Sequence, residues 1–378
     1  MKILKNTNKC LKSYLKELPD FVSEYILEYY SGESINTQIG YSIDIRVFFN
    51  YLCSEVLPEK YSPSKVMISD INSLKVTDLI HFKSYLKEYT TESLSVSGRV
   101  IKRVCKNSAY GVNRKLSAVR GLFIYLYKTD QIDQNITDKI DFMKLHQQIK
   151  KPLTTQETIS LIDVIFNGKN YYSGRNLAEY TRRRSRDIAM FTAYLGTGVR
   201  VSELANLNVE DIDFNTQSFI VKRKGGDEQE IFMPLQVENA LFAYLCGKEP
   251  EELDDMTPDE RNALEPERTA GPLFLNRSGG RISISGIEKT LKNYCLAAGI
   301  THPDKTRPHA LRRTFACRLL EDGVDIKMVA ELMGHKNIEV THRYYAQYSA
   351  QARREIMQNL EVYNAPETDG STYTPDTP

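Results

Sequence analysis

The chain has 378 residues, 41% of them apolar, and its 50 Lys+Arg against 49 Asp+Glu leave a net charge of +1. That length suits two cores better than one, and no run approaches the roughly 18 consecutive apolar residues that a membrane span needs. The six cysteines (Cys10, Cys53, Cys105, Cys246, Cys295, Cys317) are scattered, with no CxxC pair and no histidine at zinc-ligand spacing, which excludes a disulfide framework and a zinc cluster.

Taken in chain order, Met1 to Lys16 alternates lysines with leucines and has no apolar signal core, so a cytoplasmic protein is expected. The first half reads as helices. Ile39, Ile43, Val47 and Tyr51 recur at i+4, and Leu116, Val119, Phe123 and Leu126 recur at 3, 4, 3, each set marking one buried helical face. Gln147 to Thr155 loses this periodicity and contains Lys150, Lys151 and Pro152, which places a linker at 149–154 between domains at 1–148 and 155–363.

The second domain is expected to open with a helix near Thr155, followed by a polar stretch, Asn167 to Arg186, that ends in the basic run Arg182, Arg183, Arg184. A helix carrying Ile188, Phe191 and Leu195 comes next. Ser218 to Pro234 reads as two short strands around Lys224, Gly225 and Gly226, because glycine supplies the positive φ of a tight turn. Helices resume from Ile287, with a short amphipathic one over 349–362, and the Thr/Pro/Asp-rich residues 364–378 should be disordered.

The near-zero net charge averages unlike pieces. Residues 1–150 carry 22 basic against 16 acidic side chains, whereas 151–378 carry 28 against 33. Glu249 to Glu267 alone holds nine acids and one arginine, and the tail from Asn364 holds three acids. Outside those two segments each half stands at +6, as a surface that tracks phosphates should.

Three motifs carry chemistry. GTGVRVSEL, Gly196 to Leu204, uses a glycine turn to deliver Arg200 to the start of a helix, a poor place for a cation unless it binds an anion or pairs with Glu203 three residues on. HALRRTFACRLL, His309 to Leu320, puts His309 and Arg312 at i and i+3 on one face, behind a helix-starting Pro308 and beside the apolar stripe Leu311, Phe315, Leu319. MGHKNIEVTHRYYA, Met333 to Ala346, has a turn at Gly334 before His335, and Tyr344 nine residues further. Metal-free phosphodiester cleavage needs a nucleophile, cations for the non-bridging oxygens and a proton donor for the leaving oxygen, and this ordered set can supply all three.

The order Arg200, Lys224, His309 with Arg312, His335, Tyr344 resembles the catalytic signature of the tyrosine recombinases of the phage integrase family, and LPDFVSEYILEYYSGES (Leu18 to Ser34) with the long insertion around Arg182 resembles the single-protein Xer enzymes of low-GC bacteria. SINTQIGYSIDIRVFFNYL (Ser34 to Leu52) and YGVNRKLSAVRGLFIYL (Tyr110 to Leu126) resemble helices of that family's core-binding domain. The resemblance implies a mainly α, two-domain chain: a helical, SAM-like core-binding domain, and a mixed α+β catalytic domain with a small antiparallel sheet. It implies that Tyr344 forms a 3′-phosphotyrosine, that Arg200 and Arg312 clamp the phosphate with help from His335, and that Lys224 protonates the leaving oxygen. His309 would manage the tyrosine's proton and Glu203 would support the first arginine. Arg114, Lys115, Arg182, Arg183 and Arg184 are further expected DNA contacts. Neither metal nor cofactor is implied. The expected partner is double-stranded DNA carrying the recombination site, with a homotetramer acting on two such sites through a Holliday junction and an accessory protein as an option.

Arg313 stands where the family often has a second histidine, Tyr345 adjoins the nucleophile, and Lys222 competes with Lys224. Chromosome dimer resolution is the expected role. A mobile-element integrase, a type IB topoisomerase and a catalytically silent DNA-binding protein are the alternatives.

Overall fold

The structure, a computed structural model, describes residues 2–60, 62–94, 100–145, 151–223 and 226–334. It divides into two compact units, Met1–Gln147 and Gln148–Pro378. The fold is mainly helical with small antiparallel sheets. The expected helix at 349–362 and the tail lie outside the described residues.

In the first unit α1 (Lys2–Leu15), α2 (Asp20–Tyr29) and α3 (Ile35–Tyr51) are followed by α4 (Ile68–Ser73), α5 (Val76–Tyr85), a ribbon of β1 (Glu88–Leu94) and β2 (Val100–Lys106), and α6 (Ala109–Lys128). Ser34 and Ser108 start α3 and α6 by accepting the backbone N–H three residues on. The α6 stripe is buried as its spacing predicts. On α3 the spacing found half of the buried face: Val47 and Tyr51 are buried as predicted, Ile39 and Ile43 are half-buried, and the core also takes Ile45, Phe48 and Phe49. The cause is that α3 is covered on more than one side, with Phe48 edge-on to Phe82 at 5.0 Å and to Phe123 at 6.1 Å. The β1–β2 ribbon was not expected in a half that reads as helices. Its β-branched Thr90, Thr91, Ile101 and Val104 favour extended backbone.

The second unit starts at α7 (Thr155–Phe166), where the Thr154 hydroxyl accepts from Glu157 N at 3.2 Å and the Glu157 carboxylate accepts from Thr154 N at 2.8 Å. Next is α8 (Gly174–Thr197), one helix that takes in the basic run and most of the expected polar stretch as well as the helix of Ile188, Phe191 and Leu195. Arginine, alanine and glutamate are strong helix formers, so this stretch needs no apolar periodicity at its start. The unit continues with α9 (Val201–Asn206), the sheet β3 (Ile212–Asp213), β4 (Ser218–Lys222) and β5 (Glu228–Phe232), then α10 (Leu235–Leu245), α11 (Pro250–Asp254), α12 (Pro258–Asn262), α13 (Ile284–Ala297), α14 (Pro308–Glu321) and α15 (Ile326–Leu332). The strands pair antiparallel in chain order, with Phe219 opposite both Ile212 and Ile231. The second half of α8 is the axis of the core: Ile188, Phe191 and Tyr194 are fully buried among residues of α7, α10 and α13. Among the described residues no helix is long and apolar enough to cross a membrane.

Candidate active site

The site is built on a turn. Gly198 ends α8 in the left-handed conformation (φ 60°), and a Cβ there would come within 2.2 Å of the Phe315 ring, so glycine is needed for both conformation and space. Two residues later Arg200 stands at the mouth of α9. Its backbone N–H donates to Glu203 Oε2 at 2.8 Å and its Nη1 donates to Glu203 Oε1 at 2.7 Å. Its Nη2 reaches across 134 residues to the Gly334 carbonyl at 3.0 Å.

Arg312 arrives from α14 and is 4% exposed. Its Nη1 donates to the Gly198 carbonyl at 2.6 Å and its Nη2 to the Met333 carbonyl. The α14 helix begins at Pro308, and His309, three residues before Arg312, is on its exposed first turn. Met333 and Gly334 close α15, Gly334 with φ 59°. Arg223, directly after β4, sends Nη1 to both Glu203 oxygens at 2.9 and 2.8 Å.

Three guanidiniums therefore converge on one carboxylate and on the carbonyls at 198, 333 and 334. Burial pushes the Glu203 carboxyl up, but the Arg200 backbone N–H, the Arg200 side chain and Arg223 together hold it below the usual carboxylate range. Burial and the nearby Arg200 pull Arg312 down to about 10, which leaves it cationic at neutral pH. Arg200 keeps 34% of its side chain exposed. One anion against three cations is an excess of positive charge, and planar guanidinium forks match the oxygens of a phosphate.

Of the expected site residues, Arg200, Glu203 and Arg312 are brought together, and His309 shares the helix of Arg312. Lys224, His335 and Tyr344 lie outside the described residues. Lys222 is exposed on β4, 3.6 Å from Glu228. Arg114 keeps 59% of its side chain exposed while donating to Asp44 at 2.8 Å. Arg182 pairs with Glu179 at 2.7 Å, and Arg183 lies 3.8 Å from the same carboxylate.

Two expected DNA contacts are corrected. Lys115 is buried, with Nζ 3.1 Å from Asn107 Oδ1 and 3.9 Å from Asp44, so it serves the core. Arg184 is clamped by Glu249 at 2.5 Å and by Glu251, with Nε on the Phe166 carbonyl at 2.9 Å, so the acidic segment occupies its fork. Two features escaped the sequence reading. One is Arg223, which looked like a neighbour of the lysine. The other is a groove between α13 and the start of α14, where exposed Lys289 and Lys292 sit one turn apart on α13 and Arg307 precedes α14. The i, i+3 spacing of those lysines was the available signal.

Residues 175–351 match the phage integrase family. The chain is 28% identical over 313 residues to the tyrosine recombinase XerC of Thermodesulfovibrio yellowstonii, covering 83% of this chain and 86% of the relative. It is 26% identical over 356 residues to the tyrosine recombinase XerS of Streptococcus agalactiae, covering 87% and 93%. Among solved structures, the fold is similar to the Tn1549 transposon integrase in complex with a circular intermediate DNA (TM-score 0.58, 21% identity, 92% of this chain and 99% of that one). It is also similar to the XerH site-specific recombinase bound to a palindromic difH substrate (TM-score 0.58, 18% identity, 86% and 80%).

Proposed function

We propose that this chain is a tyrosine recombinase of the phage integrase family, an enzyme that cleaves and rejoins DNA, and that it resolves chromosome dimers as a Xer-type homotetramer acting on two double-stranded DNA sites in the cytoplasm. The observation that carries the chemical part is the gathering of Arg200, Arg223 and Arg312 around Glu203 and the Gly334 turn. The Xer part draws support from the names of the relatives and from their coverage of the chain.

In this reading the 155–363 domain does the chemistry, and the 1–148 domain grips DNA on the core-binding side. The Tyr344 oxygen attacks the scissile phosphorus and loses its proton with help from His309. Arg200 and Arg312, assisted by His335, bind the non-bridging oxygens as charge builds on them. The bond to the 5′ oxygen breaks, and Lys224 gives that oxygen its proton. A second strand's 5′-hydroxyl then attacks the 3′-phosphotyrosine, and two such exchanges pass through a Holliday junction. The ester conserves the bond energy, and side-chain cations hold the phosphate, so cleavage proceeds in EDTA. The α13–α14 groove with Lys289, Lys292 and Arg307 adds a surface for the phosphate backbone.

A suicide substrate resolved on a denaturing gel tests the chemistry: Tyr344→Phe binds DNA and forms no adduct. An adduct that persists moves the nucleophile to Tyr345. Sequencing adducts trapped on genomic DNA tests the role. A single chromosomal locus supports dimer resolution, whereas adducts confined to the ends of an insertion make the chain a mobile-element integrase.

A further inference from the structure

Arg223 is the one arginine of the cluster with no part in the mechanism above. Its backbone N–H closes the β4–β5 hairpin onto the Asp227 carbonyl at 2.7 Å, and its side chain turns inward with 8% exposed. Nη1 bridges both oxygens of Glu203, and Nε donates to Gln229 Oε1 at 2.7 Å on β5. The guanidinium lies against Gly334: a Cβ built on that glycine would come within 2.5 Å of the Arg223 Cζ. Nη2 is buried with no hydrogen-bond partner among the described residues.

A side chain kept only to fill space would not be a buried cation, since apolar residues of equal volume replace buried ion pairs at little or no loss. An unmade donor on that cation adds a further cost. Arg223 joins three segments that lead to residues of the mechanism. Glu203 orients Arg200, the hairpin continues from Arg223 directly into Lys224, and the Gly334 turn continues directly into His335. Backbone next to a fixed, buried anchor has little freedom, so the anchor sets where the following residue can reach.

We propose that Arg223 is a positioning residue that fixes Lys224 relative to Arg200 through their shared carboxylate, Glu203, and so governs proton delivery to the leaving 5′ oxygen. The inference rests on the reading of Lys224 as general acid. In the step concerned, the tyrosine oxygen-to-phosphorus bond forms as the phosphorus-to-5′-oxygen bond breaks. The electron pair stays on that oxygen, which takes its proton from the lysine ammonium. Replacing the bridging oxygen by sulfur removes the need for the proton, because the thiolate leaves as it is.

The test uses the full chain and two half-site suicide substrates, one ordinary and one with sulfur at the 5′ bridging position. Lys224→Ala is the reference, and Arg223→Met keeps the apolar stem. Arg223→Met should lower cleavage of the ordinary substrate about 10²-fold, the usual cost of a misplaced catalytic group, with affinity for DNA unchanged. It should recover to within about 10-fold of the parent on sulfur, and Arg223→Lys should fall between. Gln229→Leu, which removes the Nε acceptor along with a long donation to the Glu331 carbonyl at 3.4 Å, should give a smaller loss of the same oxygen-selective kind, and it serves if Arg223→Met does not fold. Equal losses on both substrates, or no loss in a folded Arg223→Met protein, overturn the inference. If Lys224→Ala itself is not rescued by sulfur, the lysine reading fails instead. An oxygen-selective defect in Arg223→Met would then point to a different acid held by the same anchor.

Discussion

A carboxylate buried among cations in the first unit can be set beside one in the second, and the two outcomes differ. Asp44 in the first unit and Glu203 in the second expose only 2% and 3% of their side chains. Asp44 receives one hydrogen bond from Arg114 at 2.8 Å, while Lys115 stays 3.9 Å away. Burial wins there: it raises the Asp44 carboxyl, and it lowers the Lys115 ammonium despite Asp44. Glu203 receives a backbone N–H and three guanidinium hydrogen bonds, and these reverse the effect of burial. Desolvation is similar in the two places, so the number and aim of donors decides in which direction each carboxyl is pushed. The many donors on Glu203 also tie two arginines into one set geometry.

The contrast can be broken at four points. The largest expected effect is at Arg312. Arg312→Ala should reduce covalent capture of DNA by about 10³-fold, since it removes charge from the place where a phosphate would gain it, whereas Arg114→Ala should leave capture at saturating protein intact. Band shifts and denaturing gels on the same substrate compare the two.

Glu203→Gln comes second. It removes one partner of a buried charge group and should cost the second unit about 3–5 kcal/mol in urea unfolding. Cleavage should also fall, because Arg200 and Arg223 would repel each other without the acid. Asp44→Asn should cost the first unit less, about 1–2 kcal/mol, because Arg114 is largely exposed and can turn to solvent. Equal losses at the two acids would erase the distinction.

The smallest effect is a divergence with pH. Glu203 titrates below its ordinary 4.5, so the stability it contributes is present above that value and is lost as pH falls through its lowered pKa. Asp44 titrates above its ordinary 3.8, so its contribution is full below that value and is lost as pH rises through its raised pKa. Between pH 6 and pH 4, hydrogen-exchange protection corrected for intrinsic rates should therefore fall more in α9 than in α3. The Glu203→Gln protein should lose that difference.

Much of this was legible in residues whose signals are local. Spacing marked the buried face of α6, and Gly198 with Arg200, and His309 with Arg312, were visible as short motifs. What stayed illegible depends on partners far along the chain. Arg184 and Lys115 read as free cations because nothing local says that Glu249 and Glu251, or Asp44, will meet them. The carbonyls of Gly198 and Met333 that seat Arg312 leave no trace in residue type. Arg223 was hidden in a basic triplet whose members part company only when the hairpin forms, Lys222 pointing to solvent and Arg223 inward. The ribbon β1–β2 was missed because its pattern of threonines and charges has neither helical nor clear strand periodicity.

The hydrogen bonds that seat the two arginines span long stretches of chain, 134 residues from Arg200 to Gly334 and 114 from Arg312 to Gly198. Contacts so distant in sequence form late, because their loop-closure entropy must be met before they contribute. During synthesis the first unit, complete by residue 147, can fold while the second is still being made. The ribosome needs roughly 10–40 seconds more to reach residue 334. Throughout that interval a nascent chain can possess a folded N-terminal body while the carbonyls that seat Arg200 and Arg312 are still to be made. The arginine cradle is thus among the last features of the molecule that synthesis allows to close.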